Sequence, residues 1–273
     1  MRNPSRRNKN IGTAKQGRSQ NNRMVIPSSW HDAKVFYERL EDYKIVIRNV
    51  QGHPFRFVVE ATRESCLHSC TIEDLCEVLS FIPAADFGDL SLIVLRQPKR
   101  KEELLNPVWG RLIYSFEFEG MHEPAIILEA IDLKGEMKQP KKQRLEQQRE
   151  FQRLQQDGHA FVENKRHFTA KLQLDSTRQT QLFRTLPHEF GHYVHYCQVV
   201  ETPGEEGLNW NQRWEQYYAL PSEEKERFAH QYADRFNQQL REKGLFPFPR
   251  ILDEEQIRKD GLSLEDFKKI TLP

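Results

Sequence analysis

The sequence predicts an α+β domain with a mixed sheet over residues 30–273, preceded by a disordered basic tail over residues 1–29. Three observations carry that expectation. Short apolar runs with strand spacing crowd residues 44–133 and are broken by one helix-spaced run. From residue 141 onward helical spacing takes over, so residues 30–135 read as a mixed α/β half and 136–273 as a mainly helical half. The first 23 residues carry Arg2, Arg6, Arg7, Lys9, Lys15, Arg18 and Arg23 with no acid, in a background of Asn, Ser, Gln and Gly that buries no core.

Taken in order, residues 28–44 (SSWHDAKVFYERLEDYK) read as a short helix with a Ser cap. Residues 44–50 and 54–62 are strands joined by a hairpin at Gln51 and Gly52. Residues 71–82 have helical spacing, with Thr71 and Asp74 as an N-terminal signature. A short apolar strand follows at 90–97. Two more, 110–120 and 123–133, flank a Gly-Met-His turn. Residues 141–158 form a polar helix with sparse apolar positions (Leu145, Phe151, Leu154), read as a solvated connector. Residues 167–175 alternate Phe168, Ala170, Leu172 and Leu174 against polar neighbours, as a half-buried strand does. Asp175, Ser176 and Thr177 then supply cap types for a helix through 200. After a Pro/Gly break come an aromatic segment, 209–221, and a last helix, 222–244, capped by Ser222 and closed by Gly244.

The net charge is +1, so the residues after the +7 tail carry −6. The tail is either a solvated terminus or a weak, salt-sensitive contact for nucleic acid through residues 1–23. No run reaches the roughly 18–20 apolar residues of a membrane span, and no apolar core of a leader follows the start, so the expected location is cytoplasmic, with non-classical export as the alternative, and no membrane partner is expected. Of the four cysteines, Cys66, Cys70 and Cys76 cluster around His68, but their spacing fits no standard zinc framework, and a helix start at Thr71 separates Cys76 from the rest. Reduced, buried thiols are expected.

Three of the ten histidines lie within residues 188–195. His188, Glu189, Phe190, Gly191 and His192 spell H-E-x-x-H. On a helix, positions four apart share a face, so His188 and His192 can reach one tetrahedral zinc while Glu189 lies beside it to take a proton from water. Pro187 requires either a kink or a new helix that starts near Leu186 with Thr185 as cap. His195 lies about 10 Å along the axis from His188, too far to share the ion, and reads as a cleft-lining or surface histidine. The last helix offers Glu226 in its first turn, followed by Phe228, Ala229, Tyr232, Ala233 and Phe236 as a packed face.

HEFGH with a downstream E-x-F-A (Glu226, Phe228, Ala229) resembles the gluzincin metallopeptidases, most closely the anthrax lethal factor type. A looser E-x-x-A-x-x-F-A pattern (Glu226, Ala229, Tyr232, Ala233) resembles the repressor-cleaving bacterial zincins. The resemblance covers roughly residues 165–240. It implies a zincin-like fold with an edge strand, an active-site helix and a glutamate helix. It also implies one Zn2+ held by His188, His192 and Glu226, with Glu189 as general base and a tyrosine before the glutamate helix, Tyr218 or Tyr217, on the tetrahedral intermediate. The family often has an acid one turn after the third ligand; this chain has His230 there, which puts the orientation of the ligands in doubt.

The resulting expectation is a zinc metalloendopeptidase acting on a protein or peptide substrate, which pairs along the strand 167–175. Three rivals stand beside it. One is a zinc-bearing regulatory or interaction module with little turnover. Another is a protease brought to nucleic acid by the basic tail, and the third is a structural domain in which HExxH is accidental.

Overall fold

The computed structural model describes residues 36–105, 108–202 and 207–268, and the chain divides into two units, residues 1–39 and 40–273. In the first unit the described residues form a single 3-10 turn, Phe36–Glu38. The basic tail and most of the helix expected over 28–44 lie outside the described residues. The last residues of that stretch start a strand, at Tyr43.

In residues 40–273 the first apolar runs form a hairpin of β1 (Tyr43–Val50) and β2 (His53–Glu60), in unbroken antiparallel register from Tyr43 opposite Glu60 to Val50 opposite His53. Gln51 and Gly52 have φ of 53° and 82°, the paired positive values that let a two-residue turn match the twist of its strands. Then follow β3 (Cys66–Leu67), α1 (Ile72–Phe81), β4 (Leu92–Arg96), α2 (Arg100–Leu105), β5 (Gly110–Phe118), β6 (Met121–Glu129) and β7 (Ile131–Asp132). The five longer strands make one mixed sheet in the order β1-β2-β4-β6-β5. The inner pairs β2/β4 and β4/β6 are parallel, and both outer strands are antiparallel to their neighbours. A parallel step needs a crossover, and α1 supplies the one between β2 and β4. It starts in a capping box: Thr71 Oγ1 accepts from Asp74 N, and Asp74 Oδ2 accepts from Thr71 N. The expected Gly-Met-His turn lies earlier in the chain. Glu119 and Gly120 take the positive φ values, 50° and 80°, and Met121 and His122 already belong to β6.

The second half opens with β8 (Glu136–Pro140), α3 (Leu145–Gln156), β9 (Val162–Glu163) and β10 (His167–Lys171). These strands form a separate antiparallel sheet, β8-β10-β9. The strand expected to pair with substrate is therefore its central strand. Residues 167–171 pair with β8 on one side, and Phe168 and Thr169 pair with β9 on the other. One edge is thus covered along its whole length and the other at Phe168 and Thr169, which leaves little of it for a substrate. α3 is more than a solvated connector, because its polar residues are its anchors. Both carboxylate oxygens of Glu150 accept from Arg184 Nη1 at 2.9 Å, and Phe151 packs on Phe161 and Phe168.

One helical run then carries the motif: α4 (Leu174–Thr180), a π turn (Gln181–Thr185), α5 (Leu186–Tyr196) and a second π turn (Cys197–Glu201). The chain ends with α6 (Trp210–Ala219), α7 (Ser222–Glu242), α8 (Glu254–Lys259) and a 3-10 turn, Leu264–Asp266. The cap position of α7 is Pro221, without a side-chain cap; Ser222 is already helical. Gly244, at φ 68°, closes the helix as expected, and Leu245 N donates back to Leu240 O at 2.9 Å. The core lies where Ile93 and Leu95 of the central strand meet α1, the first π turn, α5 and α7. All four cysteines are free thiols, and burial pushes Cys70 and Cys76 up to about 12. Among the described residues no helix is long and apolar enough to cross a membrane.

Candidate metal centre

The π turn answers the difficulty posed by Pro187. Proline returns no amide proton to the preceding turn and crowds the carbonyl four residues back. Here the backbone widens, with Leu186 N donating to Gln181 O, five residues back. The Phe183 carbonyl, to which Pro187 cannot donate, accepts from Asn237 Nδ2 of α7 at 2.6 Å. The run is thus one continuous helix with a π turn, rather than a fresh start capped by Thr185, whose side chain makes no cap bond.

α5 lies against α7 at a point of close approach. A Cβ built on Gly191 meets Ala229 Cα at 2.8 Å, Ala229 O at 2.9 Å and Tyr232 Cβ at 3.0 Å. Two of these are backbone atoms, which cannot swing aside. Glycine inside H-E-x-x-H and alanine three residues after Glu226 are what allow the two helices to meet. Gly191→Ala is expected to cost about 1–3 kcal/mol through overpacking and to weaken divalent-metal binding, because the helices that carry the candidate ligands must move apart. Urea unfolding and metal titration check this; wild-type values in both would contradict it.

That contact brings three of the expected residues together. His188 Nε2 and His192 Nε2 are 3.1 Å apart. Glu226 Oε2 is 3.3 Å from His188 Nε2, and Glu226 Oε1 is 3.5 Å from His192 Nε2. Hydrogen bonding to His188, then to His192, holds the Glu226 carboxyl well below the usual carboxylate range. A second grouping shares two of these residues: ligand atoms of His188, Glu226 and His230 all lie within 4.8 Å of one another, so this group could hold a metal ion. The two groupings have His188 and Glu226 in common and differ in the second imidazole. His230 Nε2 accepts from Arg153 Nη1 at 3.3 Å. A guanidinium only donates, so a neutral His230 carries its proton on Nδ1. Burial and the neighbouring His188 and Arg153 lower its pKa to about 4, which keeps it neutral near pH 7. One of its nitrogens is then engaged and the other protonated, a poor starting point for a ligand.

Glu189 lines the same cleft, and its Oε2 accepts from Leu112 N of β5 at 2.8 Å. That cleft, about 300 Å3, is walled by His188, Glu189, His192 and Glu226 from the two helices and by Leu112 and Tyr114 from β5. A second cleft of about 1820 Å3 shares His188, Glu189 and Glu226 and adds His230 and Arg153. Comparison with protein-family models, with curated proteins and with solved structures finds no match. The centre therefore rests on its own geometry.

The two tyrosines expected beside it differ sharply. Tyr217 is wholly buried, its hydroxyl between Tyr114 Oη at 2.7 Å and the His192 carbonyl at 3.4 Å. Tyr218 is exposed and packs on Trp214. Neither lines the 300 Å3 cleft. His195 is not a surface residue. It is buried, stacked on Phe228 at 4.3 Å, and burial lowers its pKa. Sequence reasoning missed Arg153, Leu112 and Tyr114. The first sits on a helix whose polarity suggests solvent, and the other two sit on a strand far from the motif in the chain.

Proposed function

We propose that this chain is a zinc-dependent endopeptidase in which His188, His192 and Glu226 hold the metal and Glu189 is the general base. The single observation that carries this reading is the spacing of the three ligand atoms, 3.1, 3.3 and 3.5 Å. A tetrahedral ion with bonds of 2.0–2.1 Å needs ligand atoms about 3.3 Å apart. Three side chains from two helices at that mutual distance form a cage of the right size. The donor set, two imidazole nitrogens and a carboxylate oxygen, is one that catalytic zinc takes while keeping a fourth position open. Arg153 on His230 supports His192 rather than His230 as the second imidazole.

Held by His188, His192 and Glu226, zinc would polarise a scissile carbonyl and lower the pKa of water toward about 7. The residues supply the rest. Leu112 N holds Glu189 Oε2 and leaves Oε1 to take the proton from water and return it to the leaving amine. β5 is an outer strand of the mixed sheet, with no strand on its far side among the described residues. An extended substrate can lie along that edge. In this reading β5 serves as edge strand, α5 as motif helix and α7 as glutamate helix.

The test is cleavage of reduced, carboxymethylated casein by the metal-loaded full chain before and after chelation. Cleavage should stop on chelation and return on adding zinc. Cleavage that survives complete removal of metal contradicts the reading, and bound metal without any cleavage supports a regulatory zinc module instead.

A further inference from the structure

The tyrosine that lines the small cleft is neither of the two expected ones. From the cleft wall and the paired hydroxyls behind it, we infer that Tyr114 of β5 donates the hydrogen bond that stabilises the oxyanion during hydrolysis, with Tyr217 as the buried residue that positions it. The inference rests on the peptidase reading above and names the group that completes its machinery.

Four observations carry it. Tyr114 shares the small cleft with His188, Glu189, His192 and Glu226, and it is the tyrosine in that wall. It sits at an irregularity of β5, where pairing passes from Ile113 opposite Ala125 to Phe116 opposite Glu123, so β5 spends three steps where β6 spends two. Such a bulge re-aims a side chain out of the regular alternation. Its hydroxyl lies 2.7 Å from Tyr217 Oη, which also reaches the carbonyl of His192 at 3.4 Å. The phenol is thereby tied to the helical turn that carries a metal-binding histidine. Finally, its ring is fixed among the rings of Tyr196, Tyr217 and Tyr218, with centroids at 4.8, 6.0 and 6.1 Å. Burial first, then Tyr217, raises its pKa, so the hydroxyl keeps the proton it must donate.

The proton count of the pair decides which oxygen does what. Each phenol has one proton. With the cleft vacant, the two protons serve the bond between the hydroxyls and the His192 carbonyl. When negative charge develops in the cleft, Tyr114 turns its proton toward it, and Tyr217 turns its own onto Tyr114 Oη, which then accepts from behind while donating forward. Chains of this kind strengthen each member. In the reaction, water forms the new C–O bond and gives its proton to Glu189. The carbonyl π pair moves onto oxygen, where the Tyr114 O–H meets it. The C–N bond then breaks as the proton passes from Glu189 to nitrogen. Tyr114 returns to its starting state with its proton.

The experiment uses the full zinc-loaded chain and a quenched fluorescent peptide copied from a casein cleavage site. Tyr114→Phe, Tyr217→Phe, their double variant and Glu189→Gln are compared for zinc content, kcat, KM and affinity for a phosphinate peptide, whose tetrahedral group carries oxygens where the oxyanion forms. A small thiol that ligates through sulfur alone is the control ligand. Tyr114→Phe should keep its zinc and KM, lose about 10²–10³ in kcat, and lose phosphinate affinity in parallel while binding the thiol like wild type. Tyr217→Phe should lose about tenfold, and the double variant should be no worse than Tyr114→Phe, as required if Tyr217 acts through Tyr114. If Glu189→Gln is inactive while Tyr114→Phe keeps wild-type kcat and phosphinate affinity, the inference is overturned and the peptidase reading stands. If the zinc-loaded wild type cleaves no casein, the peptidase reading falls and takes this inference with it.

Discussion

Glu189→Gln is expected to lower kcat for casein-derived peptides by about 10²–10⁴, the range for loss of a general base, with zinc content unchanged. The glutamine keeps the shape and an oxygen to accept from Leu112 N, the bond that now holds Glu189 Oε2 at 2.8 Å. It loses the basicity needed to take a proton from water. The substitution leaves the three proposed ligand atoms of His188, His192 and Glu226 untouched, so binding and chemistry separate cleanly. Steady-state kinetics beside metal analysis checks both halves. Full activity with full zinc would remove Glu189 from the mechanism, and activity lost together with zinc would make it part of the cage.

Arg178→Leu should be the most damaging substitution for stability away from the metal, at about 3–5 kcal/mol. Asp74, on α1, is fully buried. Its two oxygens accept from Arg178 Nη2 and Nε at 2.8 and 3.0 Å, from Ile251 N at 2.9 Å and from Thr71 N at 3.2 Å. Arg178 in turn donates to the carbonyls of Phe248 and Pro249 and lies over the rings of Phe183 and Phe248. One guanidinium thus joins α1, the start of the motif-bearing run and the C-terminal segment. Without it, the fully buried Asp74 keeps its amide donors but loses the guanidinium bonded to both its oxygens, and Arg250 is left as a cation acting on it without a hydrogen bond. Urea unfolding measures the loss. Arg178→Leu with Asp74→Asn should recover part of it, because the stranded charge goes too. A cost below about 1 kcal/mol, the scale of a surface pair, would contradict the account.

Local chemistry made much of this protein legible. The hairpin at Gln51 and Gly52, the box at Thr71 and Asp74, and the stop at Gly244 each depend on residues a few positions apart, and each forms where those residues stand. H-E-x-x-H is equally local, because one helical turn sets the distance from His188 to His192. Glu226 is a longer reach, yet its own stripe, with Ala229 facing Gly191, carries the packing that brings it to the histidines. What stayed illegible depends on pairing across the chain. β10 alternates as a half-buried strand should, but β8, the strand that covers its edge, reads EMKQP, too polar and too proline-bound to announce itself. β5 was visible as a strand, but its position at the sheet margin beside α5 follows from sheet order, which alternation does not encode. For the same reason nothing in the chain ties Tyr114 to the motif, whereas Tyr217 and Tyr218 lie close to Glu226 in sequence. Ser222 shows the limit of composition at a boundary: a good cap type lies inside the helix, because the preceding Pro221 takes the extended conformation of the cap.

The central claim is that His188, His192 and Glu226 close around one ion, and zinc content per chain tests it most directly. The full-length protein and the variants His188→Ala, His192→Ala, Glu226→Ala and His230→Ala, loaded with zinc and dialysed alike, are measured by plasma mass spectrometry, with circular dichroism to verify folding. The account predicts a stoichiometric ion in wild type and in His230→Ala, and loss of it in each of the other three. Zinc retained by His192→Ala and lost by His230→Ala, or a folded wild type that takes up none, would contradict it.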